Sequence, residues 1–230
     1  EAARGQGLLQ RRLIGQGADL IKITLEPGNN LPMLSAAEMQ AIVEIAHHNQ
    51  FPVTAHLTRA ADYPRSLDAG VDQFEHIAVD TMSEELIERM VRKGVILIPT
   101  LTAMGNSSQV TDNFRRYLAA GGLAAVGNDS GYITGLELGM PISELLAMQR
   151  AGLSPLQVIR AATQLGARAC RLDGILGTVE PGKQADLLLI GGDPLQDLRH
   201  LLDVRGVYHA GVAIRLLITK NSGTSSRRIL

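Results

Sequence analysis

The chain has 230 residues, of which 45% are hydrophobic and 20% charged, and its formal net charge is −1. That length suits one large domain or two small ones, and a near-neutral charge argues against a general nucleic-acid binder, which would carry a basic patch. No apolar run reaches the roughly 18–20 residues that cross a bilayer. The first residue is Glu1 rather than Met, so the chain reads as processed, trimmed or cut from something longer, with the cytoplasm as the default compartment. The single cysteine, Cys170, has no internal partner for a disulfide and is expected to be a small apolar core residue.

Short apolar, β-branched runs alternate with amphipathic stretches, the pattern of βα units and a parallel sheet. The first strand is predicted at Leu20–Ile23. Ser35 and Glu38 form a capping-box pair that opens a helix, and Met39, Ile42, Val43 and Ala46 supply its buried stripe. A second strand covers Pro52–His56, a helical stretch runs from about residue 60 to 68 and ends at Gly70, and a third strand covers Val71–His76. Ser83 starts the next helix, with Glu84 and Glu85 placed where the helix dipole favours negative charge, and Gly94 suits its left-handed end. Val95–Ile98 is the fourth strand, stopped by Pro99. A helix from about Asp112 to Ala120 precedes the fifth strand, Leu123–Val126, and a turn at 127–131. Two helices follow, the second marked by Ser154, Pro155 and Gln157.

After Gly174 the character changes. Ala185–Ile190 reads as a strand, and Val204–His209 with Val212–Ile218 as a hairpin across Ala210-Gly211. The Ser-rich tail from Lys220 to Arg228 is polar. The domain reading is therefore an α/β part over 1–174, a small β element over 175–219 and a tail over 220–230. Five strand–helix units are visible, whereas a closed barrel needs eight. Five parallel strands also suit an open doubly wound sheet, although the G-x-G-x-x-G turn of nucleotide folds is absent. Strand pattern alone leaves both architectures open.

Polar residues able to bind a metal recur at the strands. Lys22 lies within the first, His56 ends the second, His76 ends the third and Asp129 follows the fifth. In a parallel barrel all the C-terminal strand ends open on one face, where active sites sit. Two imidazoles and a carboxylate suit zinc or a similar divalent ion. Taken singly, each has a plainer role. A strand-end histidine is commonly satisfied by local hydrogen bonds, a lysine between isoleucines extends its head to water, and an aspartate in Gly-Asn-Asp-Ser-Gly is a good turn residue. His47, His48, His200 and His209 are read as structural or solvated, as are the Arg115-Arg116 pair and the Arg89, Arg92 and Lys93 group.

The segments Gly17-Ala18-Asp19-Leu20-Ile21-Lys22-Ile23, Thr54-Ala55-His56, Phe74-Glu75-His76 and Gly127-Asn128-Asp129-Ser130-Gly131 occur in an order that resembles the amidohydrolase superfamily. The stretch from Leu176 to Leu187, with Ala161-Ala162-Thr163 before it and Gly192-Asp193-Pro194-Leu195 after it, is similar to that superfamily's exit from its barrel into a β-sandwich. The resemblance covers the chain to about Ile214, and the imidazolonepropionase-like and Xaa-Pro dipeptidase-like members are the nearest subgroup. It implies strands four to eight of a TIM-type (β/α)8 barrel with their helices, plus the C-terminal strands of a small β-sandwich. Strands one to three are then expected to precede Glu1.

The same resemblance implies the roles. Lys22 would be carboxylated and bridge two metal ions, zinc by default. His56 and His76 would bind the second ion, and Asp129 would bind the first and handle the protons of the hydrolytic water. The implied activity is hydrolysis of carbon–nitrogen bonds in a small amide, cyclic amide or dipeptide, with no nucleic-acid partner. There are departures from the pattern. No His-x-His pair exists in the sequence, residue 128 is Asn where Thr is common, and the stretch from Thr100 to Asp129 is short. The missing pair supports a second hypothesis, an inactive fragment or scaffold. A third, a mononuclear deaminase, is opposed by Lys22. A half-barrel with open edges is expected to be unstable or to form homo-oligomers.

Overall fold

The computed structural model describes residues 12, 15–26, 33–131 and 135–214. Among these residues the first sheet is parallel throughout. Its strands are β1 (Ile21–Thr24), β2 (Val53–His56), β3 (Gln73–Glu75), β4 (Ile96–Ile98) and β5 (Leu123–Ala124), side by side in chain order. Parallel neighbours need crossovers. These are α1 (Ala36–His48), α2 (Tyr63–Ala69), α3 (Glu84–Lys93) and α4 (Ser108–Ala119). Then α5 (Ile142–Arg150), α6 (Pro155–Ala162) and α7 (Gln164–Ala169) follow β5.

The helix ends follow local chemistry. Ser35 and Ser154 close full capping boxes with Glu38 and Gln157, each satisfying amide groups that the first turn leaves without partners. Gly94 ends α3 at φ +66°, a left-handed conformation that costs glycine no Cβ clash. Helix α4 begins one turn earlier than its sequence pattern suggests, because Ser107 caps the amide of Val110. Strands β3 and β5 are shorter than expected. Cys170 is exposed at the C-terminal cap of α7, which corrects its assignment to the core: the helix stops at Ala169 and only that residue of α7 is buried.

Register divides the sheet into two chemistries. Ile23, Ala55, Phe74, Leu97 and Ala124 form one row across all five strands, and all five belong to the main apolar core. The rows on either side face the opposite way, since side chains alternate along a strand. They read Lys22, Thr54, Gln73, Ile96, Leu123 and then Thr24, His56, Glu75, Ile98. That face is polar over β1–β3. Over β4 it is apolar, where Ile96 and Ile98 pack with Ala125, Ala169 and Leu165.

The second sheet is antiparallel, with β6 (Leu187–Ile190), β7 (Val204–His209) and β8 (Val212–Ile214) in that order. Tyr208 pairs with Ala213 across the Ala210-Gly211 turn, as a hairpin requires. A 3-10 helix, Leu198–Leu202, precedes β7, and its buried Leu198 joins the main core. The end of the predicted hairpin strand and the polar tail lie outside the described residues.

The loop after β3 is tied down by Asn113 of α4, which is fully buried. Its side-chain amide donates to the carbonyls of Ala78 and Asp80, and its oxygen accepts from the Met82 amide. Asn113→Ala would strand three backbone groups, so a stability loss of about 1–3 kcal/mol is expected in urea unfolding. A loss within experimental error would show that water satisfies the loop instead.

Candidate functional site

The C-terminal ends of β1–β5 lie along one edge of the sheet, and the candidate residues reach it by different routes. His56 is the last residue of β2 and belongs to the polar face. His76 is the first residue past β3, and its backbone is left-handed at φ +68°. The His76 amide donates to Ile98 and its carbonyl accepts from the Tyr63 hydroxyl. These bonds hold a conformation that a histidine seldom adopts. The turned backbone brings the two rings edge to face, with centroids 4.4 Å apart.

A linear set of contacts results. Nε2 of His76 lies 2.8 Å from Nδ1 of His56. The outer nitrogen of His76, Nδ1, is 2.7 Å from the Thr100 hydroxyl, and that of His56, Nε2, is 3.2 Å from Glu26. Glu26 also accepts a hydrogen bond from the Thr58 hydroxyl. Together Thr58 and His56 hold the Glu26 carboxyl below the usual range, against a smaller opposing effect of burial. With Glu26 ionised, Nε2–H of His56 donates to it. A neutral His56 then points the Nδ1 lone pair at His76.

His76 is 2% exposed. Burial first, and the neighbouring His56 second, push its pKa down to about 4, and the charge of Lys22 adds to this. Asp129 and Glu26 pull it the other way. Lys22, His56 and Asp129 are thus each within electrostatic reach of His76, and of the three only His56 is hydrogen-bonded to it. Lys22 is exposed within β1, and Asp129 is exposed in the turn after β5.

The Asp129 turn is set by its neighbours. Gly127 approaches β4 so closely that a Cβ there would come within 2.5 Å of Ile98 Cγ2. Asn128 donates to the Glu137 carbonyl and accepts from the Ser130 amide. Asp129 itself is left-handed at φ +55°. The loop after β4 contains a third such residue, Thr100, at φ +46° and 2% exposed. A β-branched residue in this conformation is strained by about 1–3 kcal/mol and persists only where its surroundings fix it.

Glu26, Thr100 and Thr58 were not indicated by the sequence. Their one signal is position just past a strand end, which many loop residues share. His47 pairs with Asp72 at 2.9 Å, His200 contacts the Asp193 carbonyl at 2.8 Å, and His209 pairs with Asp186 at 3.1 Å. These are the local contacts expected of structural histidines. A cavity of about 500 Å³ lies at the opposite end of the strands, lined in part by Pro52, Gln73, Lys93, Arg168 and Arg171, and it contains none of the candidate residues.

Among the described residues, no three His, Cys, Asp or Glu side chains meet at metal-binding distance. The two imidazoles nonetheless suit one divalent ion. Zinc–nitrogen bonds of 2.0–2.1 Å at a tetrahedral centre separate two ligand nitrogens by about 3.3 Å, close to the 2.8 Å between His56 Nδ1 and His76 Nε2. Metal-binding histidines also donate their outer N–H to a carboxylate or another acceptor, the positions that Glu26 and Thr100 occupy.

The chain resembles known proteins in sequence and in fold. The chain is 27% identical to ochratoxinase from Aspergillus niger over 233 aligned positions, covering 86% of this chain and 46% of that protein. It superposes on a Xaa-Pro dipeptidase with bound methionine in the active site at TM-score 0.82 and 27% identity, over 93% of this chain and 58% of the other. It also superposes on a putative prolidase from Bifidobacterium longum at TM-score 0.81 and 30% identity, over 92% of this chain and 59% of the other. The chain thus spans about half the length of these relatives. Residues 8–214 match the amidohydrolase family, and the chain belongs to that family.

Proposed function

We propose that this chain supplies the strand-four-to-eight portion of a (β/α)8 barrel in a hydrolase of carbon–nitrogen bonds, with a small amide, cyclic amide or dipeptide as substrate. The observation that carries the reading is the approach of His56 Nδ1 and His76 Nε2, with outer partners on both rings, at the sheet edge that also bears Lys22 and Asp129. Family membership and likeness to dipeptidase structures support it.

His56 and His76 would hold one divalent ion, zinc by default. Lys22, its amine joined to carbon dioxide as a carbamate whose single negative charge is shared by two oxygens, would help to hold a second ion with Asp129. When bound, such ions polarise a substrate carbonyl and lower the pKa of water. The rest is done by side chains. Glu26 accepts the outer proton of His56 and thereby keeps Nδ1 free. Burial keeps His76 neutral at physiological pH, so it too offers a lone pair. Asp129 accepts the proton that the attacking water loses as its oxygen bonds to the carbonyl carbon. It passes that proton to the amine as the carbon–nitrogen bond breaks.

A second reading is favoured by one finding: three such ligands do not meet among the described residues. In that reading the chain is an inactive scaffold. The two readings separate on metal content and turnover, measured for the chain both alone and joined to the strand-one-to-three portion, purified without chelator and then supplied with zinc. Hydrolysis of an acyl-proline dipeptide or an N-acyl amino acid should fall about 100- to 10,000-fold in Asp129→Asn. His56→Ala should lose bound zinc without losing its circular dichroism spectrum. Undiminished turnover in both variants would overturn the hydrolase assignment, and absence of metal and turnover even when the chain is joined to the strand-one-to-three portion would establish the scaffold.

The low pKa of His76 has a consequence for the metal-free chain. A folded-state value of about 4 lies below the ordinary 6.5, so the folded state binds fewer protons between these limits. The stability this group contributes is complete above about pH 6.5 and is lost as pH falls toward 4. Urea midpoints of the metal-free chain should decline through that window, and His76→Asn should flatten the decline. An equal decline in the variant would assign it to other groups.

A further inference from the structure

We propose that Glu144, on α5 and 43 residues from the loop it contacts, is a positioning residue for His76, acting through Thr100. The inference rests on the metal-site reading above for its consequence, but its structural content is independent of metal. Glu144 is 0% exposed. Its Oε1 accepts from the Leu101 amide at 2.8 Å, and its Oε2 accepts from the Thr102 amide at 2.8 Å and the Thr102 hydroxyl at 2.6 Å. A buried carboxylate is thus committed entirely to the two residues that follow Thr100.

Thr100 needs such a restraint. Its backbone sits at φ +46°, a conformation that a β-branched residue leaves once its surroundings permit. In that conformation its hydroxyl meets His76 Nδ1 at 2.7 Å. The outer partner of a metal-binding histidine sets which ring nitrogen carries the proton, and losing such a partner typically lowers metal affinity 10- to 100-fold. The two carboxylate oxygens clamp consecutive amides, so they fix the peptide planes on the C-terminal side of Thr100. That in turn fixes where its hydroxyl lies. Replacing Glu144 with glutamine sets an amide NH2 against a backbone N–H, two donors facing each other. The clamp opens while side-chain volume is kept.

The test is a cycle of Glu144→Gln, Thr100→Val and the double variant, with Thr100→Ser as the conservative control. The readouts are the ring-nitrogen resonances of His76 in the 15N-labelled metal-free chain and zinc affinity by competition with a chromophoric chelator. Glu144→Gln and Thr100→Val should move the His76 Nδ1 resonance in the same direction, and Thr100→Ser should restore it. Each of the two should weaken zinc by about 10-fold or more, and the double variant should be no weaker than Thr100→Val alone. An unmoved resonance in folded Glu144→Gln, or losses that add in the double variant, would overturn the proposal. If the chain binds no zinc, the metal-site reading fails, while the resonances still decide the role of Glu144. Should Glu144→Gln fail to fold, Thr102→Val removes one of the three bonds and is subject to the same comparison.

Discussion

Parallel pairing in unbroken register is the constraint from which the rest of this structure follows. Because Ile23, Ala55, Phe74, Leu97 and Ala124 lie in one row, that row can be buried against helices as a continuous apolar band. The alternation of side chains then leaves no choice for the residues on either side. Lys22, Thr54, His56, Gln73 and Glu75 must face the other way, and they pay for burial only where they find partners. Thr54 donates to Glu75, and Gln73 donates to the Ala169 carbonyl of α7. Parallel direction also places every strand's C-terminal end on one edge. Residues distant in sequence, such as His56 and Asp129, therefore share a neighbourhood.

At that edge the chain turns sharply, and three of the turning residues hold left-handed backbones without being glycine: His76, Thr100 and Asp129. Each lies within a few residues of the end of its strand, and each costs on the order of 1–3 kcal/mol that its surroundings must offset. His76 is fixed through its own amide and carbonyl, Thr100 through the amides that follow it, and Asp129 through the side chain of Asn128. Glycine would relieve the strain in all three places. It would also remove the side chains that meet there, so the strain and the polar cluster come together.

Much of this order was legible in the sequence because it depends on neighbours along the chain. The capping pairs Ser35–Glu38 and Ser154–Gln157 act over three residues, and the stripe Met39, Ile42, Val43, Ala46 needs only the helical repeat. The five strands and their parallel direction follow from alternation with helices, whereas their side-by-side order does not. What was not legible depends on closure of the fold. Glu26 meets His56 across 30 residues of chain, Thr100 meets His76 across 24, and Glu144 reaches Leu101 across 43. Nothing in the local pattern around these residues separates them from other loop or helix polar groups. Glu144 reads as an ordinary first-turn acid of α5, yet it is fully buried. Cys170 fails in the opposite sense: its apolar character suggested the core, but α7 ends one residue before it.

The pairing of His56 with His76 differs from the contacts of the other histidines in where its partners come from. His47, in the last turn of α1, meets Asp72 through Nε2. Here both rings take their outer partners from loops, Glu26 and Thr100, and are left to face each other. Two imidazoles so placed share a single proton between Nδ1 and Nε2, because a second would set two donors against each other at 2.8 Å. Desolvation of His76 reinforces this by opposing its charged form. The result is a concentrated pair of nitrogen acceptors competing for one proton, held by residues whose own positions cost backbone strain. In the metal-site proposal a cation held by the two nitrogens would take the place of that shared proton.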